Sequence, residues 1–109
     1  MPHTRTMKTY FVYILASRPQ GTLYIGVTNS IIDRIDQHRA GTGSKFTARY
    51  KVHTLVWFEL HSDINAAIQR EKSLKEWPRD WKTNLIERDN TRWADLYPTL
   101  PGVAPVKKL

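Results

Sequence analysis

At 109 residues, with 40% apolar and 11% aromatic residues, the chain is sized for one domain with a modest core, which excludes disorder for its bulk. It has no cysteine, so disulfide stapling, thiolate metal sites and cysteine nucleophiles are all excluded, and a cytoplasmic setting is the expectation. Seventeen Lys and Arg against ten Asp and Glu leave a charge of +7, which points to a polyanionic partner, with nucleic acid the first candidate.

Residues 1–8 carry no apolar run of the kind a signal peptide needs, and no stretch approaches the roughly 18 apolar residues of a membrane span, so no membrane partner is expected. Residues 1–8 are expected to be a flexible lead and 9–97 the folded domain. Three prolines, Gly102 and Lys107-Lys108 mark 98–109 as a mobile tail.

Thr9 to Ser17 is β-branched and aromatic with no turn former inside, and both of its alternating sets are apolar. It therefore predicts a strand covered on both faces, central in its sheet. Arg18-Pro19-Gln20-Gly21 is a turn, and Thr22 to Thr28 completes a hairpin. If Ser17 faces Thr22, Tyr13 faces Gly26 and Leu15 faces Tyr24. Both tyrosines then share a face, and Gly26 leaves room over the Tyr13 ring. A slip of one residue would separate them.

Ser30 and Asp33 resemble a capping box opening a helix through Ala40, with Gly41 as terminator. Ile31, Ile32 and Ile35 form its apolar stripe, and Arg34 and His38, one turn apart, are placed at the rim of the core. Residues 43–52 interleave Lys45, Arg49 and Lys51 with Phe46 and Tyr50. That mixture suits a surface that tracks a nucleic-acid backbone and stacks bases. The i, i+4 spacing of the two aromatics favours the other reading, that they anchor a short helix on the core, which leaves the basic residues and Gly26 as the nucleic-acid contacts.

Thr54 to His61 predicts a third strand, and Asp63 caps a helix to about Trp77. Glu71 falls in that helix's inward stripe with Ile64, Ala67, Ile68 and Leu74, where a carboxylate is costly unless something satisfies it. An ion pair with an arginine such as Arg34 would do so, and so would a metal ion; ion pairs are the commoner case. Pro78 opens a further helix toward Asn90, and Trp77, Trp81 and Trp93 are read as core pegs.

Phe11-Val12-Tyr13, ten residues, Tyr24-Ile25-Gly26, then Arg34, His38 and Glu71 together resemble the GIY-YIG nuclease superfamily, in particular its small stand-alone bacterial members. The segments YFVYILAS, GTLYIGVTN, FTARY, AAIQREKSLKEW and WKTNLIERDN contribute, so the likeness runs from about Tyr10 to Leu96. It implies an α+β fold with a small three-stranded antiparallel sheet flanked by helices, and hydrolysis of phosphodiesters with one divalent metal, Mg2+ or Mn2+. In that scheme Tyr24 or Tyr13 helps deprotonate water, Arg34 binds the phosphate, Glu71 holds the metal and His38 lies near the phosphate or the water. Three features depart from the pattern. The first triplet is Phe-Val-Tyr, Val27 stands where some relatives have lysine, and Asn84 and Asn90 both compete for the asparagine that closes the site in several relatives.

The function expected is therefore a metal-dependent endonuclease acting on DNA rather than RNA, on branched, nicked or single-stranded forms. The alternative is a nucleic-acid-binding module of the same fold. A homodimer is left open, since no residue argues for one.

Overall fold

The computed structural model describes residues 8–103. Three strands, β1 (Tyr10–Ala16), β2 (Leu23–Thr28) and β3 (Thr54–His61), form one antiparallel sheet in the order β2-β1-β3. Four helices complete the α+β fold: α1 (Ile31–Arg39), α2 (Lys45–Tyr50), α3 (Ile64–Glu76) and α4 (Arg79–Asp89).

β1 is central and buried on both faces, as its doubly apolar pattern requires. Val12, Ile14 and Ala16 pack with Ala67 and Leu74 of α3 and Leu85 and Ile86 of α4. Tyr13 and Leu15 point the other way, into a second cluster with Ile31 and Ile35 of α1, Val52, Leu55 and Leu100. The two periods, 2 along the strand and 3.6 along the helices, thus assign α1 to one layer and α3 with α4 to the other.

The hairpin closes with the Ser17 amide donating to the Thr22 carbonyl at 3.0 Å and the Gly21 amide to the Arg18 carbonyl at 2.8 Å. That turn sets the register Tyr13↔Gly26 and Leu15↔Tyr24, as the turn length predicts. Between β1 and β3 the register shifts at Ile14/Leu15, so Val56 is the extra residue of a bulge. Its carbonyl accepts from Asn90 Nδ2 at 3.0 Å, and the Leu55 carbonyl from the Leu96 amide at 2.7 Å, so the chain after α4 satisfies what the bulge leaves open.

Asp63 caps α3 as expected, its carboxylate accepting the Ala66 amide at 2.8 Å. Ser30 does not cap the backbone of α1; its hydroxyl donates instead to Asp33 at 2.9 Å. Of the three tryptophans read as core pegs, Trp93 is buried, Trp77 is half-buried and Trp81 is 54% exposed. Trp81 leaves the core because α4 turns Leu85 and Ile86 inward, and it packs edge-on against Trp77 at 5.7 Å.

The packed chain also runs past residue 97. Tyr97–Thr99 form a 3-10 turn, Leu100 is buried, and the Tyr97 hydroxyl donates to Asp36 at 2.6 Å. The expected tail thus begins with a segment docked on α1, while 104–109 and the lead 1–7 lie outside the described residues. Among the described residues no helix is long and apolar enough to cross a membrane.

Candidate active site

The shared face of Tyr13 and Tyr24 is roofed by α1, and there the hairpin register brings the two rings to 6.3 Å. Gly26 sits opposite Tyr13, and a Cβ on it would fall 2.4 Å from the Tyr13 hydroxyl. The space the missing side chain leaves is filled by the Tyr13 phenol itself, so Gly26 is buried. It supports the site from beneath, and the expectation that it contacts nucleic acid is corrected.

His38 lies deeper than the rim position read from the helix. It is 0% exposed, because the chain after α1 folds back over it. A Cβ on Gly43 would lie 2.6 Å from His38 Nδ1, so only glycine lets that segment close so tightly. His38 Nε2 and the Tyr13 hydroxyl are 2.9 Å apart, and His38 Nδ1 and Thr47 Oγ1 are also 2.9 Å apart. Thr47 is itself buried and held by Ser44, which caps α2 by accepting the Thr47 amide at 3.0 Å. The reading of the sequence missed Thr47; its signal was the Ser-x-x-Thr spacing at a helix start, which looks like ordinary capping.

Arg34 is half-buried beside this cluster. Its guanidinium donates to the Gln37 side chain and to the Gly43 carbonyl, both at 2.9 Å, which holds its plane while leaving other N–H groups free. Burial would lower its pKa, but the facing Tyr13 and Tyr24 oxygens outweigh that and raise it, so it stays cationic. Burial pushes the Tyr13 phenol up to about 12; Arg34 opposes the rise, and Tyr24 and Glu71 add to it. Burial, then the charges of Arg34 and His53, push His38 down to about 4, so it is neutral at neutral pH.

Glu71 comes from the opposite layer. Its side chain is 14% exposed, and it pairs with Lys75 at i+4, 2.9 Å away, rather than with Arg34. Its partner Lys75 lines a pocket with Tyr24 and Phe46 along the edge strand β2, which turns this stretch of α3 toward the tyrosine face. Among the described residues no group of three or more His, Asp or Glu is placed to hold a metal ion. A single, largely buried hard carboxylate is chemically compatible with Mg2+, which takes one or two carboxylates and otherwise keeps its water.

Asn90 is spent on the backbone near the bulge, donating to Val56 and Ala94. Asn84 lines a separate pocket with Trp77, Trp81, Leu85 and Arg88. Neither asparagine joins the tyrosine cluster. Lys45, Arg49 and Lys51 are exposed on α2 and at its end. Phe46 and Tyr50 are 42% and 48% exposed, so the reading of these two as core anchors is overturned. The core position of this short helix is taken by Thr47 instead.

The family model for the GIY-YIG catalytic domain matches residues 9–84, which contain every residue of the cluster. The chain belongs to the GIY-YIG family. GIY-YIG membership places it in a nuclease superfamily, as the paired triplets imply. It is 35% identical over 81 residues to a UPF0213 protein of Staphylococcus haemolyticus, covering 74% of this chain and 98% of the relative. A UPF0213 protein of Staphylococcus aureus is 35% identical over 82 residues, again across 98% of its length. The solution NMR structure of a UPF0213 protein from Bacillus halodurans shares the fold, with a TM-score of 0.51 and 23% identity over 90% of this chain and 99% of that one.

Proposed function

We propose that this GIY-YIG domain is an endonuclease that hydrolyses phosphodiesters in DNA with the help of one divalent metal ion. The observation that supports the reading is the grouping of Tyr13, Tyr24, Arg34 and His38 on one face of the sheet, with Glu71 in the other layer paired to a lysine that shares a pocket with Tyr24.

The chemistry divides among these residues by their access. Tyr13 is buried with its hydroxyl engaged by His38, and burial keeps its proton on at neutral pH. Tyr24 is half-exposed and borders a pocket, so its oxygen, reacting as the phenolate, is the one that takes the proton of an attacking water. Tyr13 and neutral His38 position Tyr24, whose ring meets the imidazole edge-on at 5.0 Å. Arg34 binds the phosphate and meets the charge that grows on it, with a planar fork suited to two oxygens. As water attacks phosphorus it gives its proton to the Tyr24 phenolate, a new P–O bond forms, the ester P–O bond breaks, and the leaving oxygen takes up a proton from solvent water.

Glu71 would hold Mg2+ or Mn2+, releasing Lys75 on binding. When bound, such an ion acidifies water and offsets phosphate charge. Lys45, Arg49 and Lys51 supply the basic surface that grips the backbone. The absence of cysteine and the reading of DNA as substrate make the cytoplasm the proposed location.

The test is nicking of supercoiled plasmid and cleavage of forked and single-stranded oligonucleotides with Mg2+, Mn2+ or EDTA. Cleavage that EDTA abolishes is expected. Salt-sensitive binding of these substrates without cleavage under any metal would replace this reading with a binding module.

A further inference from the structure

Phe46 and Tyr50 are large aromatics on the solvent face of α2, at 5.0 Å from each other, and Phe46 lies 6.2 Å from Tyr24 with the ring planes only 30° apart. A small domain gains nothing in its core from two exposed rings, and Thr47 already ties α2 to the fold. Arg49 lies over the outer ring, 5.5 Å from its centroid.

Beside this ladder is a pocket of about 290 Å³ whose lining is Leu23, Tyr24, Ile25, Phe46, Lys75 and Lys82. One wall is aromatic and apolar, contributed by β2 and α2. The other wall carries two ammonium groups from α3 and α4, with Lys82 Nζ donating to the Lys75 carbonyl at 3.2 Å. The pairing suits one ligand chemistry: a flat π face against the rings and phosphates against the lysines. The lining itself holds no carboxylate, Glu71 reaching only the Lys75 ammonium from outside it, and with Lys82 in the wall and a chain charge of +7 the site is complementary to a nucleic-acid strand.

We infer that this pocket is a subsite for one unpaired nucleotide next to the scissile phosphate, with its base stacked on Phe46 and its backbone held by Lys75 and Lys82. The inference rests on the nuclease reading for the position of the scissile phosphate, since Tyr24 is shared between the two. A base within a duplex has both faces covered by its neighbours, so it cannot present one to Phe46 without leaving the stack. The domain is therefore specific for single-stranded or splayed DNA, and intact duplex is the poor substrate. Nothing else in the pocket reads a base edge, so the preference is for strandedness and not for sequence.

The experiment is a binding titration in EDTA, which separates the subsite from catalysis. Labelled single-stranded, forked and blunt duplex DNA are compared by fluorescence anisotropy, and a strand carrying 2-aminopurine reports stacking by quenching. Single strands and forks should bind more tightly than duplex, and 2-aminopurine should be quenched. Phe46→Ala should weaken single-strand binding about ten-fold and remove the quenching, and Phe46→Tyr should restore both. Lys82→Gln should flatten the salt dependence by about 0.7 in slope. Phe46 and Lys82 lie outside the core, so melting temperatures should match wild type. Equal affinity for duplex, unchanged quenching in Phe46→Ala, or no binding of any strand would overturn the subsite. A wild type that stacks 2-aminopurine but cuts nothing would refute the nuclease and leave the subsite standing.

Discussion

The Tyr13 hydroxyl and His38 Nε2 lie 2.9 Å apart in the interior, joining the central strand to the helix that roofs it. His38 is fixed from its other nitrogen by Thr47, so the orientation of the imidazole, and with it that of Tyr13, depends on α2 closing over the site. A buried polar pair of this kind is expensive to leave half-made, so it holds the fold together whatever part it takes in the proposed chemistry.

The two tyrosines should therefore respond differently to loss of the hydroxyl. Tyr24→Phe removes the group that takes the proton, and turnover should fall by about 100-fold or more with little change in melting temperature. Tyr13→Phe leaves His38 Nε2 buried and unpaired, which should cost about 1–3 kcal/mol of stability, with a smaller loss of turnover. Urea unfolding and single-turnover cleavage of both variants measure the split.

Stability should fall on the acid side through His38. Its folded pKa is lowered to about 4 from an unfolded value of 6.5, so the folded state binds the proton less tightly. The stability this represents is whole above the unfolded value and is lost as pH drops from about 6.5 toward about 4. The integrated loss is on the order of 3 kcal/mol. Denaturation midpoints across that window should slope downward in wild type, and the slope should be shallower in His38→Gln.

Thr47→Val keeps the shape of the side chain and removes the hydroxyl from His38 Nδ1. A loss of about 1–3 kcal/mol is expected for the buried nitrogen left without its partner. Because His38 then loses its fixed orientation, turnover should fall while single-strand affinity holds, and Thr47→Ser should recover both. Equilibrium unfolding and kcat for the pair of variants read this out.

Gly26→Ala places a methyl where the Tyr13 phenol lies, 2.4 Å from its oxygen and 2.5 Å from its ring carbon. Tyr13 is packed on every side and has nowhere to retreat, so overpacking of about 1–3 kcal/mol is expected. The displaced hydroxyl should part from His38, and cleavage should fall with it. A melting temperature equal to wild type would show that the site is looser than the close approach implies.

The hairpin was legible from residues alone, because a strand with two apolar faces and a four-residue turn leave one register that keeps Tyr13 over Gly26. The layer of α1 and the inward position of Glu71 were legible from helical spacing for the same reason. Burial of His38 was not, since the cover over it comes from Gly43 and Thr47, and a helical wheel describes a helix without its neighbours. Phe46, Tyr50 and Trp81 failed in the opposite direction. Aromatic residues at helical spacing imply a core face only when the helix has no better residues to bury, and here Thr47, Leu85 and Ile86 take those places.

We propose that Tyr13, Tyr24, Arg34, His38 and Glu71 act as one phosphodiester-cutting unit, with Glu71 and Arg34 indispensable. The direct measurement is cleavage of a forked, end-labelled DNA by wild type, Glu71→Ala and Arg34→Ala, prepared in parallel and matched for melting temperature. With Mg2+ the wild type should cut, and each variant should show no product above the EDTA control while still binding the fork. Product formation at the wild-type rate by either variant would contradict the account.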